Sequence, residues 1–202
     1  RPEIPEAMPP QIDRCMTMLK EIGVPLIGSE GFEADDVIAT LATKLRKEQP
    51  DLTVRIIAKD KDLKQLLSER AGDRGGVEMF DVHTDQLITE SSFKAETGLS
   101  PRQVIDMLAL MGDSVDNVPG VDGVGDKTAV QLVAQYGSID ELMKRAGEIK
   151  GKRGENIRAA ADLLPLSREL VTLRHDAPVE FDLSSAATSK LKLDRMLPIL
   201  RE

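Results

Sequence analysis

Tryptophan is absent from this sequence of 202 residues, which contains one tyrosine and four phenylalanines. Sequence-specific readers of single-stranded nucleic acids stack bases on aromatic side chains, so this composition disfavours that class of protein. Cysteine is almost absent as well. The single cysteine, Cys15, excludes an internal disulfide bond. We expect Cys15 to be a buried structural thiol and the protein to be cytoplasmic.

Long apolar runs are also missing. No stretch approaches the roughly 18 residues that a membrane-spanning helix needs. The opening residues, Arg1-Pro2-Glu3-Ile4-Pro5, contain neither a signal-peptide core nor an initiator methionine. We therefore expect a soluble chain that has no membrane partner and is cut from a longer protein. Its 41% hydrophobic content is enough to bury a core.

The negative charge is unevenly distributed along the chain. The net charge is −8, and residues 1–116 hold 14 Lys and Arg against 22 Asp and Glu. The following part is balanced and contains a basic segment, residues 144–158, with Lys144, Arg145, Lys150, Lys152, Arg153 and Arg158. A local patch of positive charge matters more for nucleic-acid binding than the net charge of the chain. This distribution therefore does not exclude a nucleic-acid partner.

Apolar periodicity divides the chain into an α/β part and a helical part. It predicts helices over 11–21 and 34–48, a short helix over 63–69, and strands over 24–27, 52–58 and 77–82. The first helix is expected to start only after the opening prolines. This alternation favours a mainly parallel sheet flanked by helices. After about Thr89 the pattern is helical to about Leu173, with cap signals at Ser100-Pro101 and Ser138. We expect an α/β core over 1–112, an all-helical region over 113–175, and a loosely packed tail over 176–202.

Three acidic clusters follow the predicted elements. Each has an ordinary explanation on its own, since acidic residues favour helix N-termini and turns. The first stands at the start of the helix over 34–48, the second follows the strand over 52–58, and the third follows the helix over 101–111. Their members are Glu33, Asp35 and Asp36, then Asp60 and Asp62, then Asp113 and Asp116.

These seven carboxylates would repel one another if the three clusters met in one cleft, so such a site requires a cation. Oxygen-only ligands select hard ions such as Mg²⁺ or Mn²⁺, and neither His83 nor His175 lies near a cluster to indicate zinc. Two such ions can activate water, orient a scissile phosphate and stabilise the leaving oxygen without a nucleophilic side chain. The clusters therefore predict metal-dependent chemistry on a phosphate.

A glycine-rich segment, Val118–Ala129, is the most specific motif. Gly120, Gly123 and Gly125 allow a tight hairpin whose backbone approaches a ligand, with free amides at the following helix start. Lys127 and Thr128 superficially suggest a Walker loop, but the spacing of that motif is not met. The alternative is a helix–helix turn without a ligand. The basic segment nearby favours binding of a nucleic-acid backbone.

In their order and spacing, these motifs resemble the 5′→3′ exonuclease domain of bacterial DNA polymerase I, within the flap endonuclease superfamily. The resemblance runs from Arg1 to about Arg174 and includes Gly151-Lys152-x-Gly154-Glu155-Asn156. It implies a PIN-like nuclease core followed by a helix-hairpin-helix region over Val118–Lys127.

The resemblance also implies roles for residues. Glu33, Asp35 and Asp36 would serve a first metal ion, and Asp60, Asp62, Asp113 and Asp116 a second. Asp60, which would lie between the two ions, and Asp113 would be the catalytic residues. The ions would be Mg²⁺ or Mn²⁺, with K⁺ at the hairpin. Duplex DNA with a 5′ end or flap would be held by Gly120, Gly123, Gly125, Lys127, Thr128, Lys150, Lys152 and Arg153.

The sequence departs from the family pattern at its start. Family members begin with a strand that bears a metal-binding aspartate, followed by a basic and aromatic arch, and we expect this chain to begin just after that arch. The leading hypothesis is a 5′ nuclease that removes primers and acts in repair, with a polymerase domain in the same full-length protein. The alternative is an incomplete fragment that only binds duplex DNA. A ribonuclease of related fold is disfavoured, because the hairpin element suits a DNA backbone.

Overall fold

The computed structural model describes residues 4–201, in which helices surround a three-stranded sheet. The strands are β1 (Val54–Ile57), β2 (Val77–Asp81) and β3 (Gln86–Ile88). The helices are α1 (Met8–Ile22), α2 (Ala34–Glu48), α3 (Glu90–Thr97), α4 (Val104–Met111), α5 (Asp126–Tyr136), α6 (Ile139–Lys144), α7 (Gly151–Ala159), α8 (Leu164–Val171) and α9 (Met196–Arg201). Short 3₁₀ turns cover Asp62–Leu66, Pro101–Gln103, Ala146–Glu148, Leu183–Ala186, Thr188–Lys190 and Leu193–Arg195.

Helix α1 corrects two expectations. It begins at Met8 with Pro9 and Pro10 in its first turn, so the prediction that it starts only after the prolines is wrong. First-turn amides have no intrahelical acceptor, and proline is therefore tolerated there. Cys15 is exposed, which contradicts the expected burial. The reason is that α1 buries only Ile22 among its residues, and its apolar face around Cys15 remains largely open.

The sheet is mixed. Strand β1 pairs in parallel with β2, and β2 pairs antiparallel with β3. The predicted strands over 52–58 and 77–82 are confirmed with shorter bounds, whereas β3 was not predicted and the helix over 63–69 is a 3₁₀ turn, Asp62–Leu66. The predicted strand over 24–27 is wrong, because this segment pairs with no strand anywhere in residues 4–201. A strand is stable only with a hydrogen-bonded neighbour.

The helical part has the predicted caps. Ser100 forms a capping box with Gln103, and the hydroxyl of Ser138 accepts from the backbone N–H of Glu141 at the start of α6. Helices α4, α5 and α8 pack together, and a buried carboxylate joins them to α6. Asp106 lies 2.9 Å from Nε of Arg168 and accepts from the N–H of Ile139 at 3.1 Å.

One main core spans both parts of the chain. It includes Met79 of the sheet, Phe93 of α3, Leu108 of α4 and Ile157 of α7. A second, smaller core contains Val37, Ala177 and Val179. The beginning of the expected loose tail is therefore packed against α2. No helix in residues 4–201 is both long and apolar enough to cross a membrane.

The Asp106–Arg168 pair yields a stability prediction. Arg168→Leu would leave a buried carboxylate without its counter-charge, so we expect the free energy of unfolding to fall by about 3 kcal/mol. Urea unfolding at pH 7 measures this loss. The exposed Arg102→Leu is the matched control and should change stability by less than about 0.5 kcal/mol. Equal unfolding midpoints for the two variants would show that the pair is unimportant.

Candidate metal and DNA-binding site

A cleft of about 700 Å³ brings the three acidic clusters together. It is bordered by the start of α2, the turn after β1, the loop after α4, and the segment 169–174 from the end of α8 onward. Six of the seven predicted carboxylates line it: Glu33, Asp35, Asp36, Asp62, Asp113 and Asp116. The seventh, Asp60, is exposed, and its charge raises the pKa of both Asp35 and Asp62.

The local structure explains why the first two clusters meet. Glu33 precedes α2 with extended backbone, but its side chain makes no capping hydrogen bond, and Asp35 and Asp36 occupy the first turn. The second cluster follows the carboxyl end of β1, the edge at which open α/β sheets place their ligands. There Asp60 accepts from the N–H of Asp62 at 3.0 Å.

Burial and like charge make this cleft unfavourable for ionised carboxylates. Burial raises the pKa of Asp35, and the charges of Asp60, Glu33, Asp36 and Asp116 raise it further. Burial, with the charge of Asp60, raises the pKa of Asp62 from 3.8 to about 6. One carboxylate oxygen of Asp62 is buried and accepts no hydrogen bond from residues 4–201.

Two cations also line the cleft, and sequence reasoning identified neither. The ammonium of Lys61 lies 2.8 Å from an Oδ of Asp113, and this hydrogen bond lowers the pKa of that carboxyl. The guanidinium of Arg174 stacks over the ring of Phe32 and pairs with Asp176. The position of Lys61 between two predicted metal ligands was a signal in the sequence that could have identified it. The contacts of Arg174 join residues distant in the chain, so the sequence contained no such signal for it.

Gln65 and Glu169 were also missed. The side-chain amide of Gln65 donates to the carbonyls of Asp62 and Val171, and it accepts from the N–H of Leu173. It therefore ties the turn after β1 to the segment that follows α8. The N–H of Arg174 in that segment donates to Asp36 at 2.8 Å. Glu169 adds a further carboxylate to the cleft wall. No sequence spacing connects residues so far apart.

The cleft residues fit a hard divalent cation. The donors are all oxygens, one of them is buried without a partner, and their mutual repulsion is relieved by added positive charge. As the side chains stand, no three His, Cys, Asp or Glu residues within 4–201 are grouped closely enough to hold a metal ion.

The glycine-rich hairpin adjoins the third acidic cluster. A Cβ on Gly112 would lie 2.6 Å from the backbone N of Gly120, and a Cβ on Gly120 would lie 2.4 Å from the carbonyl O of Met111. Real Cβ atoms do not approach so closely, so only glycine permits this contact. Asp113 and Val118 exchange two backbone hydrogen bonds across the intervening loop. The contact places Asp113 directly beside the hairpin.

The hairpin leads into an uncapped helix start. Gly123 has a φ of 73°, Gly125 precedes α5, and no side chain caps the first amides of that helix. Lys127 is exposed and Thr128 is half-buried in the first turn. Free amides with an adjacent lysine can hold a phosphate. The predicted hairpin residues thus occupy one continuous surface.

Helix α7 provides a second uncapped start beside the hairpin. Lys150, Lys152 and Arg153 are exposed there. Asn156 of the same helix donates to the carbonyl and carboxylate of Asp122 in the hairpin. The basic segment is smaller than its sequence indicated. Lys144 pairs with Glu141 and Arg145 with Glu148, Lys152 lies 3.9 Å from Glu155, and Arg158 donates to the carbonyl of Ala146.

Two family models match consecutive parts of the chain, which together run from residue 1 to residue 194. The N-terminal resolvase-like domain of 5′-3′ exonucleases matches residues 1–98, and the C-terminal SAM fold of 5′-3′ exonucleases matches residues 99–194. The chain belongs to the 5′-3′ exonuclease family. The family resemblance and the predicted fold class, a PIN-like α/β core followed by a helical region, are therefore confirmed.

Relatives of this family show how much of each protein the chain represents. DNA polymerase I of Rhizobium leguminosarum is 43% identical over 90% of this chain, which spans 17% of that protein. A 5′-3′ exonuclease of Aquifex aeolicus is 36% identical over 100% of the chain, which spans 66% of it. The bacteriophage T5 D15 flap endonuclease, in a complex with DNA and metal ions, is 24% identical with a TM-score of 0.70. That match covers 100% of this chain and 72% of the phage protein, and it shows the shared fold.

The raised pKa of Asp62 yields a second prediction. The folded chain holds this proton more tightly than the unfolded chain, so ionisation of Asp62 destabilises the fold as the pH rises from about 4 through 6. In EDTA at pH 8, Asp62→Asn should raise the free energy of unfolding by about 1–2 kcal/mol, allowing for partial exposure. The gain should shrink towards zero near pH 4. Urea unfolding at both pH values measures it, with the exposed Asp51→Asn as control. A gain independent of pH would contradict the assignment.

Proposed function

We propose that this chain is the metal-dependent catalytic and DNA-binding part of a 5′→3′ exonuclease and flap endonuclease. It would act on DNA in replication and repair, in the cytoplasm, within a DNA polymerase I. The observation that carries the proposal is the acidic cleft, lined by six of the seven predicted carboxylates and joined to the hairpin through the Gly112–Gly120 contact. The phage relative, a flap endonuclease bound to DNA and metal ions, supports it.

The cleft carboxylates would divide between two divalent cations, Mg²⁺ or Mn²⁺. Glu33, Asp35 and Asp36 would hold the first, and Asp62, Asp113 and Asp116, together with the neighbouring Asp60, would hold the second. Such ions supply water activation and neutralise the charge on the reacting phosphate. Asp60 and Asp113 would act as the catalytic residues, and they come from separate elements, the turn after β1 and the loop after α4. The segment 171–174 holds Asp36 in place.

The hairpin and α7 would bind the duplex backbone at a surface beside the cleft. The first amides of α5, which no side chain caps, and Lys127 would bind one phosphate, and the start of α7 would bind another. Lys150, Lys152 and Arg153 are exposed beside it, and K⁺ would bind the hairpin carbonyls. The domain assignment follows these roles, with the nuclease core over 1–112, the DNA-binding region over 113–175 and a tail over 176–202.

A second candidate is DNA binding without cleavage. The observation that favours it is the ion pair of Lys61 with Asp113, which occupies one predicted metal ligand. In this case the chain binds duplex DNA through the same hairpin and the cleft performs no chemistry. A cleavage assay separates the two candidates.

The cleavage prediction concerns Asp60 and Asp113. On a 5′-labelled flap DNA with Mg²⁺ or Mn²⁺, Asp60→Ala or Asp113→Ala should slow product formation at least about a hundredfold, because the charge that binds the cations is lost. Duplex affinity in EDTA should remain within about twofold of the unsubstituted chain. Asp51→Ala, an exposed carboxylate outside the cleft, is the control. Unchanged cleavage in both cleft variants would refute the catalytic roles, and no cleavage by any protein would favour the second candidate.

The binding prediction concerns α7. Substituting Lys150 and Arg153 together by alanine should weaken duplex binding and reduce the slope of log affinity against log salt by about 2, one for each lost phosphate contact. Fluorescence anisotropy between low and moderate salt gives this slope. The exposed Lys20→Ala in α1 should leave it unchanged. The same slope for the double variant and the unsubstituted chain would place the DNA elsewhere.

A further inference from the structure

Lys61 places a positively charged side chain among the predicted metal ligands of the cleft. It lies between Asp60 and Asp62 in the chain, and its ammonium nitrogen is 2.8 Å from an Oδ of Asp113. This pair joins the turn after β1 to the loop after α4, both of which line the cleft. The Lys61 side chain is 40% exposed, so it can move without repacking the core.

The other cation that lines the cleft within residues 4–201 is used differently. Arg174 stacks over Phe32 at 4.3 Å, and two of its nitrogens contact the carboxylate of Asp176, which is not one of the seven predicted ligands. Arg174 reaches a predicted ligand, Asp36, only through its backbone N–H, whereas the charged ammonium of Lys61 contacts Asp113 directly. Its charge therefore stands where a divalent cation would also be attracted.

We propose that Lys61 is a built-in counterion of the cleft, which neutralises Asp113 until a divalent cation binds and which the cation must displace. This inference rests on the proposed function, because it assumes that the cleft binds such ions. A cation that approaches Asp113 meets the positive charge of Lys61 and must break its hydrogen bond. Lys61 thus makes the empty cleft more stable and lowers its affinity for metal.

If Lys61 were only a structural tether between the two loops, its removal would change the metal affinity in the opposite direction. If Lys61 only positioned Asp113, its removal would loosen Asp113 and weaken metal binding. If Lys61 competes with the metal, its removal strengthens binding. The direction of the change in metal affinity therefore distinguishes the two roles, even though in either role the removal of Lys61 would destabilise the metal-free chain.

The experiment compares Lys61→Met with Lys59→Met, which removes the same charge two residues away. Lys59 is exposed, does not line the cleft and forms no ion pair within residues 4–201. Calorimetric titration with Mn²⁺, without DNA, should show about 5- to 10-fold tighter binding for Lys61→Met, and a change of less than about twofold for Lys59→Met. In EDTA the melting temperature of Lys61→Met should be the lower of the two. Equal or weaker Mn²⁺ binding by Lys61→Met would overturn the proposal.

Asp113→Asn separates failure of this inference from failure of the proposed function. If Asp113→Asn binds Mn²⁺ as tightly as the unsubstituted chain does, the cleft does not hold metal through Asp113, and both proposals fail. If binding depends on Asp113 while the two lysine variants behave alike, only the counterion role is overturned. If the effect of Lys61→Met disappears when Asp113 is also replaced, the direct competition is supported.

Discussion

The contact between Gly112 and Gly120 is the constraint on which the site depends. Any side chain at either position would overlap the backbone opposite. The end of α4 and the start of the hairpin can therefore touch only because both residues are glycine. The intervening loop closes through paired backbone hydrogen bonds between Asp113 and Val118. One backbone contact therefore fixes the distance between Asp113, a carboxylate proposed to bind metal, and the surface proposed to hold DNA.

Electrostatic repulsion is the second organising feature. The fold gathers carboxylates that would be more stable apart, and burial together with like charge raises the pKa of Asp35 and Asp62. Contacts within the described chain reduce this repulsion. Among them, Lys61 neutralises Asp113, and the backbone N–H groups of Val115 and Arg174 donate to Asp113 and Asp36. A cleft held together against its own charge is well suited to binding cations.

The surrounding packing supports this arrangement. The sheet and the helical part share one apolar core, against which Ile38 of α2 also packs, and this core lies beneath the elements that carry the cleft carboxylates. Gln65 ties the turn after β1 to Val171 at the end of α8, and the Asp106–Arg168 pair anchors α8 to α4. Asn156 plays the corresponding part for the hairpin, which it joins to α7.

Local sequence determined most of the elements and the family. The spacing of apolar residues predicted α2, β1 and β2, cap residues marked the starts at Ser100 and Ser138, and the motifs around Glu33, Asp60 and Gly120 identified the family. Local sequence could not predict that Cys15 is exposed or that residues 24–27 form no strand. It also could not predict that Arg158 donates to the carbonyl of Ala146. Burial, strand pairing and ion pairing depend on residues distant in the chain. For the same reason only the tertiary structure showed Lys61 against Asp113 and Arg174 beside Phe32, because those contacts join segments whose spacing carries no periodic signal.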